Sequence, residues 1–418
     1  MNKVYVLGGA QTDFERNWSR EGKNAVAMLR EVVSDGCTAA GISYSEIAEL
    51  NKESKVACFI GNFLSELYNQ QSHIGALMTE VDPAFYGVPS VRCEAACAAG
   101  AAAMDLAMAK IASGQIDVAI VVGWALTNTV DATQGNTFLS HVAYQEKESV
   151  GDMAVLTNQY GRLLDAYLEK YNLPEDEVLS CLAHMTETAY ENGKRNPLSQ
   201  TRKMFMSEKQ ANMRGCATNP LTAGKLAKSD ATMVTDGAAI VILASEDFVQ
   251  QHSTSRKLPY IKGYGSRVAP MTMDAKLEES KHNEYLLPWT RQVIQDAYRT
   301  AGLTVEDIDV FELYDYYTVA ELVELSCVGL TKPGEEYKFI QNGGLEFDNK
   351  QVINASGGLI GCGHPHAATG IRMCLDLYKQ LTGTAGKCQV AGNPKNGLML
   401  NMGGTATSNY AFILGVDD

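Results

Sequence analysis

Two short stretches of the chain carry residue types at a spacing on which covalent chemistry can be built. The first is CEAACAAGAAAM, in which Cys97 follows an apolar run and opens a train of Ala and Gly. That pattern predicts a strand leading into a helix at the cysteine. The first turn of a helix leaves N–H groups unpaired and carries the positive end of the macrodipole, so it favours thiolate over thiol. Small neighbours let a ligand or another backbone come close. Cys97 is therefore a candidate nucleophile with a depressed pKa. The competing reading is a buried structural thiol, because free cysteine behaves as a small hydrophobe. The second stretch is GGLIGCGHPHAATG at 357–370, where glycines flank His364, Pro365 fixes a turn and a helix follows. A histidine is the usual activator of a thiol; the competing reading is an ordinary turn histidine.

Two weaker stretches stand beside these. In ELYDYYTVAEL (312–322) a strand end leads into a helix. Asp315 there suits a helix N-cap, and the tyrosines either line a site or fill a core. In NMGGTATSN (401–409) the Gly403–Gly404 pair follows a strand and can bring backbone N–H donors toward Cys97.

These four stretches need elements to position them. Apolar, β-branched runs predict strands at 3–8, 57–62, 117–126, 238–245, 259–264, 307–313, 351–355, 396–404 and 409–415. Helical periodicity predicts helices at 22–40, 98–113, 286–302, from 318 onward, and 367–382. Between 128 and 230 the pattern loosens, with helical pieces at 155–171 and 175–192; so long a connection reads as an inserted region over the core. The chain also repeats itself. TAAGISYSEIAEL (38–50) resembles RTAGLTVEDIDVF (299–311), and the helix after Cys97 resembles the helix after His364. Strands alternating with helices make an α/β fold. Two similar halves imply a pseudo-twofold axis, where Cys97 of one half meets His364 of the other.

Composition excludes several classes. The 418 residues are 45% hydrophobic and 20% charged, a globular balance rather than a disordered one. The net charge of −14 argues against broad nucleic-acid binding, which depends on clustered basic residues. The longest apolar run, Val118 to Leu126, is far shorter than the roughly 20 residues a membrane span needs. No secretory signal is visible at the first residues, so a cytoplasmic location is expected. The ten cysteines form no CxxC pair and no zinc-ligand spacing, so no metal site is expected.

Taken together, the stretches around Cys97, 307–322, 353–370 and 400–415 resemble the thiolase superfamily, in its sterol-carrier-protein-X and archaeal acetyl-CoA acetyltransferase branch. The segments GNFLSELYNQQSHIGAL and MVTDGAAIVILAS are similar as well. The resemblance implies two βαβαβαββ halves in a five-layered αβαβα arrangement with an inserted loop domain. The expected division is 1–127 with 231–255 for the first half, 128–230 for the loop domain and 256–418 for the second half. It implies a CoA-dependent acyltransferase that cleaves or forms a 3-oxoacyl-CoA through an acyl-enzyme on Cys97, with His364 assisting. The backbone N–H groups of Cys97 and of the Gly403–Gly404 turn would stabilise the oxyanion. No tightly bound cofactor is expected, only a coenzyme A thioester as substrate. The resemblance also implies a homodimer or higher homo-oligomer, and in several members of the branch a small OB-fold/zinc-ribbon accessory subunit.

The chain departs from its relatives at the position of the second catalytic cysteine. Where they carry His-Asp-Cys-Phe this sequence has Tyr314-Asp315-Tyr316-Tyr317, and near the end Asn401-Met402-Gly403-Gly404 lacks a cysteine. Tyr314 or Tyr316 can serve as proton donor; Cys362 and His366, close to His364 in sequence, are the other acid/base candidates. A phenol with an ordinary pKa near 10 is a better acid than base at neutral pH, which favours cleavage. Two further readings are a retro-aldol C–C lyase or an acyltransferase to an unusual acceptor, and an inactive scaffold subunit. For the anionic CoA, Arg202, Lys203, Arg214 and Lys225 of the inserted region are the candidate contacts, against the alternative of a solvated face.

Overall fold

The structure, a computed structural model, describes residues 3–149, 154–252 and 257–417. Its strands are β1 (Val4–Gln11), β2 (Val56–Gly61), β3 (Ser90–Cys93), β4 (Val118–Ala125), β5 (Leu221–Ala223), β6 (Leu226–Ala227), β7 (Gly237–Ser245), β8 (Tyr260–Val268), β9 (Val310–Glu312), β10 (Val352–Ile353), β11 (Asn396–Gly403) and β12 (Ser408–Gly415). Ten of these run edge to edge in the order β10-β9-β11-β12-β8-β1-β7-β4-β2-β3, while β5 and β6 form a small hairpin apart.

The sheet is two copies of one pattern. In the first half β3-β2-β4 pair parallel and β4-β7-β1 antiparallel. In the second half β10-β9-β11 pair parallel and β11-β12-β8 antiparallel. The copies meet where Tyr5 of β1 pairs with Tyr260 of β8. The duplication read from the sequence is thus present strand for strand. Its glycines coincide too: Gly41 closes the helix Ala25–Ala40 at φ 76°, and Gly302 closes the helix Pro288–Ala301 at φ 68°. Both positions are left-handed, where a side chain is strained.

Central strands are buried on both faces, which is why they read as unbroken apolar runs. In β7, Ala239, Val241 and Leu243 face one core; Ile240 and Ile242 face another. The first of these cores lies between the two halves of the sheet and holds the helices Ala99–Ala112 and Thr369–Thr382. The helix Ala25–Ala40 covers the outer face of the first half. The helices Pro288–Ala301 and Thr318–Val328 cover the outer face of the second. Helix, sheet, helices, sheet and helix make five layers, the thiolase fold.

Between β4 and β7 the chain forms the helices Ala132–Leu139, Val155–Tyr171, Glu175–Arg195 and Glu208–Asn212 and the β5–β6 hairpin. The longest has Glu175, Asp176 and Glu177 in its first turn and Lys194 and Arg195 in its last, matching the macrodipole. Its end packs against the loop that carries His364: Gln200 N–H donates to the Cys362 carbonyl and Thr201 N–H to that of Gly361. The expected division at 255/256 lies outside the described residues. No helix among the described residues is long and apolar enough to cross a membrane.

Candidate active site

The turn carrying Cys97 is tight and strained. After β3 ends, Glu94 accepts from Ala96 N–H at 2.6 Å, and Ala96 takes φ 51°, a left-handed conformation that costs a non-glycine residue about 1 kcal/mol. The helix Ala99–Ala112 follows at once. Cys97 is 2% exposed. Burial pushes its pKa up to about 11 against three donors: the Tyr314 hydroxyl and the backbone N–H groups of Gly404 and of Cys97 itself. The expected helix-entrance donors are therefore present, but the expected depressed pKa is not. Desolvation outweighs them, and the resting group is a neutral thiol.

The Gly403–Gly404 turn reaches Cys97 because Gly403 has no side chain. A Cβ there would lie 2.1 Å from the Ala95 carbonyl oxygen. Two residues of the inserted helix Val155–Tyr171 hold this turn. Tyr160 Oη donates to the Gly404 carbonyl at 3.1 Å, and Gln159 Oε1 accepts from Thr405 Oγ1 at 2.7 Å. An open cleft of ≈ 410 Å³, bordered by Phe63, Arg92, Ala96, His141 and Gly403, adjoins the backbone of both turns.

His364 sits at the same junction from the second half. Its N–H donates to Thr235 Oγ1 at 3.0 Å, its Nδ1 lies 2.7 Å from Thr369 Oγ1, and its Nε2 lies 3.5 Å from Tyr314 Oη. Burial lowers its pKa well below the usual value, with His366 and Arg372 adding to the effect, so the imidazole is neutral and able to accept a proton. The sequence pairs Cys97 with His364. The structure inserts Tyr314 between them, hydrogen-bonded to the sulfur and within reach of the ring.

The tyrosines divide by role. Tyr317 donates to Thr157 Oγ1 at 2.9 Å and stacks on Tyr160 at 4.6 Å between centroids, a packing arrangement. Tyr314 is fully buried. Tyr316 is partly exposed, its ring 5.2 Å from that of His364. Burial raises the pKa of both Tyr314 and Tyr316 well above that of free phenol, so both stay protonated.

Behind the tyrosines lies a wall of carboxyls. Glu324 accepts from Tyr314 N–H at 2.8 Å. Asp315 accepts from the N–H groups of Leu359 and Ile360 at 2.5 and 3.0 Å, so it caps the short helix Gly358–Cys362. This corrects the expectation that Asp315 caps its own following helix, Thr318–Val328, whose N-cap residue is Tyr317. Buried Arg372 pairs with Glu312 at 2.7 Å and Asp376 at 2.9 Å. Burial pushes Asp315 up to about 6, Glu312 up to about 7, and Glu321 and Glu324 well above the carboxyl range.

Of the other candidates, His366 packs against His364 and the rest fall elsewhere. Cys362 turns its thiol to Asn196 of the insertion at 3.5 Å, and burial raises its pKa to about 12. His366 packs edge-on to His364 at 5.0 Å and to Phe63 at 6.2 Å; burial lowers its pKa to about 4. A neutral imidazole there can accept a proton, as His364 can, but has no acidic one to give. The four basic residues expected at CoA phosphates all meet carboxylates instead. Arg202 pairs with Asp13 and Glu15, Lys203 with Glu15, Arg214 with buried Asp230, and Lys225 with Asp165. Those pairs tie the insertion to itself and to the first half, and the geometry gives no support to phosphate contacts there. Apart from the site, His184, Glu187 and Glu208 bring ligand atoms within 4.8 Å of one another on the half-exposed surface of the insertion, as exposed acidic groups commonly do without an ion. Thr235, Glu324 and Thr369 were not singled out in the sequence. Thr369 lies inside GHPHAATG and Thr235 inside MVTDGAAIVILAS, both stretches that drew notice.

A duplicated αβαβα frame with a thiol, an imidazole and two glycine turns at its pseudo-twofold defines the thiolase-fold class. Comparison with known proteins agrees. The description "Thiolase, N-terminal domain" matches residues 4–247 and "Thiolase C-terminal domain-like" matches 275–416. The chain belongs to the thiolase family, a family of acyltransferases. It is 27% identical over 406 residues to the acetyl-CoA acetyltransferase of Methanothermobacter thermautotrophicus, covering 97% of each chain. It is 26% identical over 402 residues to the benzoylsuccinyl-CoA thiolase subunit BbsB of Thauera aromatica, covering 94% of this chain and 92% of that one. It is 27% identical to sterol carrier protein 2 of Bos taurus, across 96% of this chain and 70% of that protein. Among solved structures, an "Ltp2-ChsH2(DUF35) aldolase" shares the fold with a TM-score of 0.74 at 18% identity, over 99% of this chain and 98% of that one.

Proposed function

We propose that the protein is a CoA-dependent acyltransferase that cleaves or forms a 3-oxoacyl-CoA through a covalent acyl-enzyme on Cys97. The observation that carries this reading is the convergence on one buried sulfur of the Tyr314 hydroxyl, the Gly404 N–H and the Cys97 N–H. Donors that hold a sulfur anion can hold the oxyanion that replaces it. When Sγ attacks a thioester or 3-oxoacyl carbonyl, negative charge moves from sulfur to oxygen, and the two N–H groups are already fixed to receive it. Loss of one such donor typically costs about 10²–10³ in rate.

Tyr316 is the acid of the carbon–carbon step. It is partly exposed beside His364 and kept protonated by burial, so it can donate to the enolate released on cleavage. Cys362 faces Asn196 and His366 is neutral, which leaves both outside this role. Protonated phenols favour cleavage over condensation. A retro-aldol C–C cleavage is the second reading. Four tyrosine rings, Tyr160, Tyr314, Tyr316 and Tyr317, gather at the site, and the fold neighbour above is an aldolase. That neighbour's description pairs two components, which supports an accessory subunit here too.

The test is intact-mass analysis of the purified protein after mixing with a panel of acyl-CoA and 3-oxoacyl-CoA compounds, followed by peptide mapping. An acyl adduct on Cys97 is expected, and its mass names the acyl class. An adduct on a different cysteine would overturn the assignment. No adduct in a folded protein, with or without a candidate accessory subunit, would leave the lyase and scaffold readings in its place.

A further inference from the structure

We infer that Tyr314 is a proton relay between the Cys97 thiol and His364, and that Thr369 sets the direction of that relay by fixing the tautomer of His364. The inference rests on the reading of Cys97 as nucleophile.

The Tyr314 hydroxyl is hydrogen-bonded to Cys97 Sγ, and its oxygen is 3.5 Å from His364 Nε2. Such contacts are often long in the unliganded state and tighten in the reacting complex. On the far side of the ring, Nδ1 is 2.7 Å from Thr369 Oγ1. A threonine hydroxyl has one proton. Thr369 directs it to the Pro365 carbonyl at 3.3 Å, the ordinary bond of a helical threonine to the residue four before it. Its oxygen is left to accept from Nδ1–H. The Nε2 lone pair then points at Tyr314 and is free to take a proton.

Proton and electron balance follow directly. The S–H bond breaks as sulfur attacks the carbonyl carbon. The Tyr314 hydroxyl, a donor to the sulfur at rest, first turns its proton toward Nε2; the S–H proton then passes to Tyr314 Oη while the phenolic proton passes to Nε2. The products are a carbon–sulfur bond, an oxyanion, a neutral phenol and an imidazolium. The imidazolium returns its proton to a departing thiolate or, where a carbanion leaves and Tyr316 protonates it, to the Tyr316 phenolate, and nothing is oxidised or reduced. Tyr314 is charged at no stage, which suits a phenol whose environment opposes ionisation. His364 packs beside neutral Tyr316 and His366, and the charge that acts on it is that of Arg372.

The reactivity of the thiol can be read without any CoA compound. The full-length protein is treated with iodoacetamide near neutral pH, and the rate of carbamidomethylation at Cys97 is followed by peptide mass spectrometry. General-base assistance is typically worth about 10²–10⁴-fold, so Tyr314→Phe should slow alkylation at Cys97 by about 100-fold. Loss of an orienting partner behind a functional histidine typically costs about 10–100-fold; Thr369→Val should fall in that range and Thr369→Ser should recover the wild-type rate. Urea denaturation of each variant reports folding. Wild-type rates in a folded Tyr314→Phe variant would overturn the relay. Failure of Thr369→Ser to recover, or a Thr369→Val variant that reacts normally, would overturn the role of Thr369. A wild-type Cys97 inert to iodoacetamide would overturn the inference as a whole. Normal relay behaviour with no acyl adduct from any CoA thioester would instead overturn the proposed function and leave the relay standing.

Discussion

The two central helices occupy equivalent places in the duplicated frame and have been filled in opposite ways. In Ala99–Ala112 the buried residues are Ala, Gly, Met and Ile. In Thr369–Thr382 they include Arg372, Asp376 and Gln380. With Gly100 set against Gly370, Ala102 stands where Arg372 stands, and Leu106, 38% exposed, stands where buried Asp376 stands. The first half thus contributes one reacting side-chain atom, the Cys97 sulfur, with Thr235 Oγ1 holding the His364 N–H and Glu94 holding the turn. The second half contributes the imidazole, the phenols and a back wall of carboxyls around one arginine. The lesson is a division of labour: a bare half lets substrate and backbone come close, and a polar half fixes the groups that move protons.

The largest effect should come from the single reacting atom of the bare half. Cys97→Ala should abolish the acyl adduct while leaving the fold intact, as read by intact mass and circular dichroism; acylation that persists would break the division. Next comes the arginine of the polar half. Arg372→Met strands Glu312 and Asp376, and breaking a buried ion pair from one side typically costs about 3–5 kcal/mol. Urea denaturation checks it, and the equivalent Ala102→Gly in the bare half should cost only about 1 kcal/mol.

Smaller still is the effect of the partly exposed phenol. Tyr316→Phe should slow carbon–carbon cleavage by about 100-fold and leave acylation of Cys97 nearly unchanged. Equal slowing of both steps would remove Tyr316 as the acid. The last effect is electrostatic and is read as a slope with pH. A carboxyl raised in the folded state binds its proton more tightly there than in the unfolded chain. The stability it confers is complete below the unfolded pKa and is lost as pH rises toward the folded one. Glu324→Gln keeps an acceptor for Tyr314 N–H and removes this titration. Its stability relative to wild type should grow as pH rises above the carboxyl range, by at most about 1.4 kcal/mol per pH unit. A difference that is flat with pH, measured by denaturation at pH 5, 6.5 and 8, would mean that the back wall holds ionised groups.

The frame was legible because each of its signals is local. Gly41 and Gly302 close equivalent helices in recognisably similar stretches, and β4 and β7 declare themselves by unbroken apolar runs. Cys97 and His364 also stood out, since glycine and small residues crowd them in sequence. What surrounds them was not legible. Tyr160 reaches Gly404 across 244 positions, and within its own helix it looks like any core aromatic. Arg202 read as a free cation because Asp13, its partner, lies 189 positions away. The depressed pKa expected for Cys97 failed for a related reason: helix-end donors can be inferred from spacing, whereas complete desolvation depends on the packing of both halves.

The bonds from Thr157, Gln159 and Tyr160 to the catalytic turns have a consequence for how such an enzyme can diversify. The insertion is not an interchangeable cassette that sets substrate range while the frame does the chemistry. Its first long helix contributes anchors to Tyr317, Thr405 and Gly404, so replacing it with the insertion of a distant relative would loosen the turn that presents N–H groups to the sulfur. New specificities are open to changes that spare residues 157–160, and to changes that reach them only in step with the 403–407 loop. Acquired substrate range and catalytic power in this chain are inherited together.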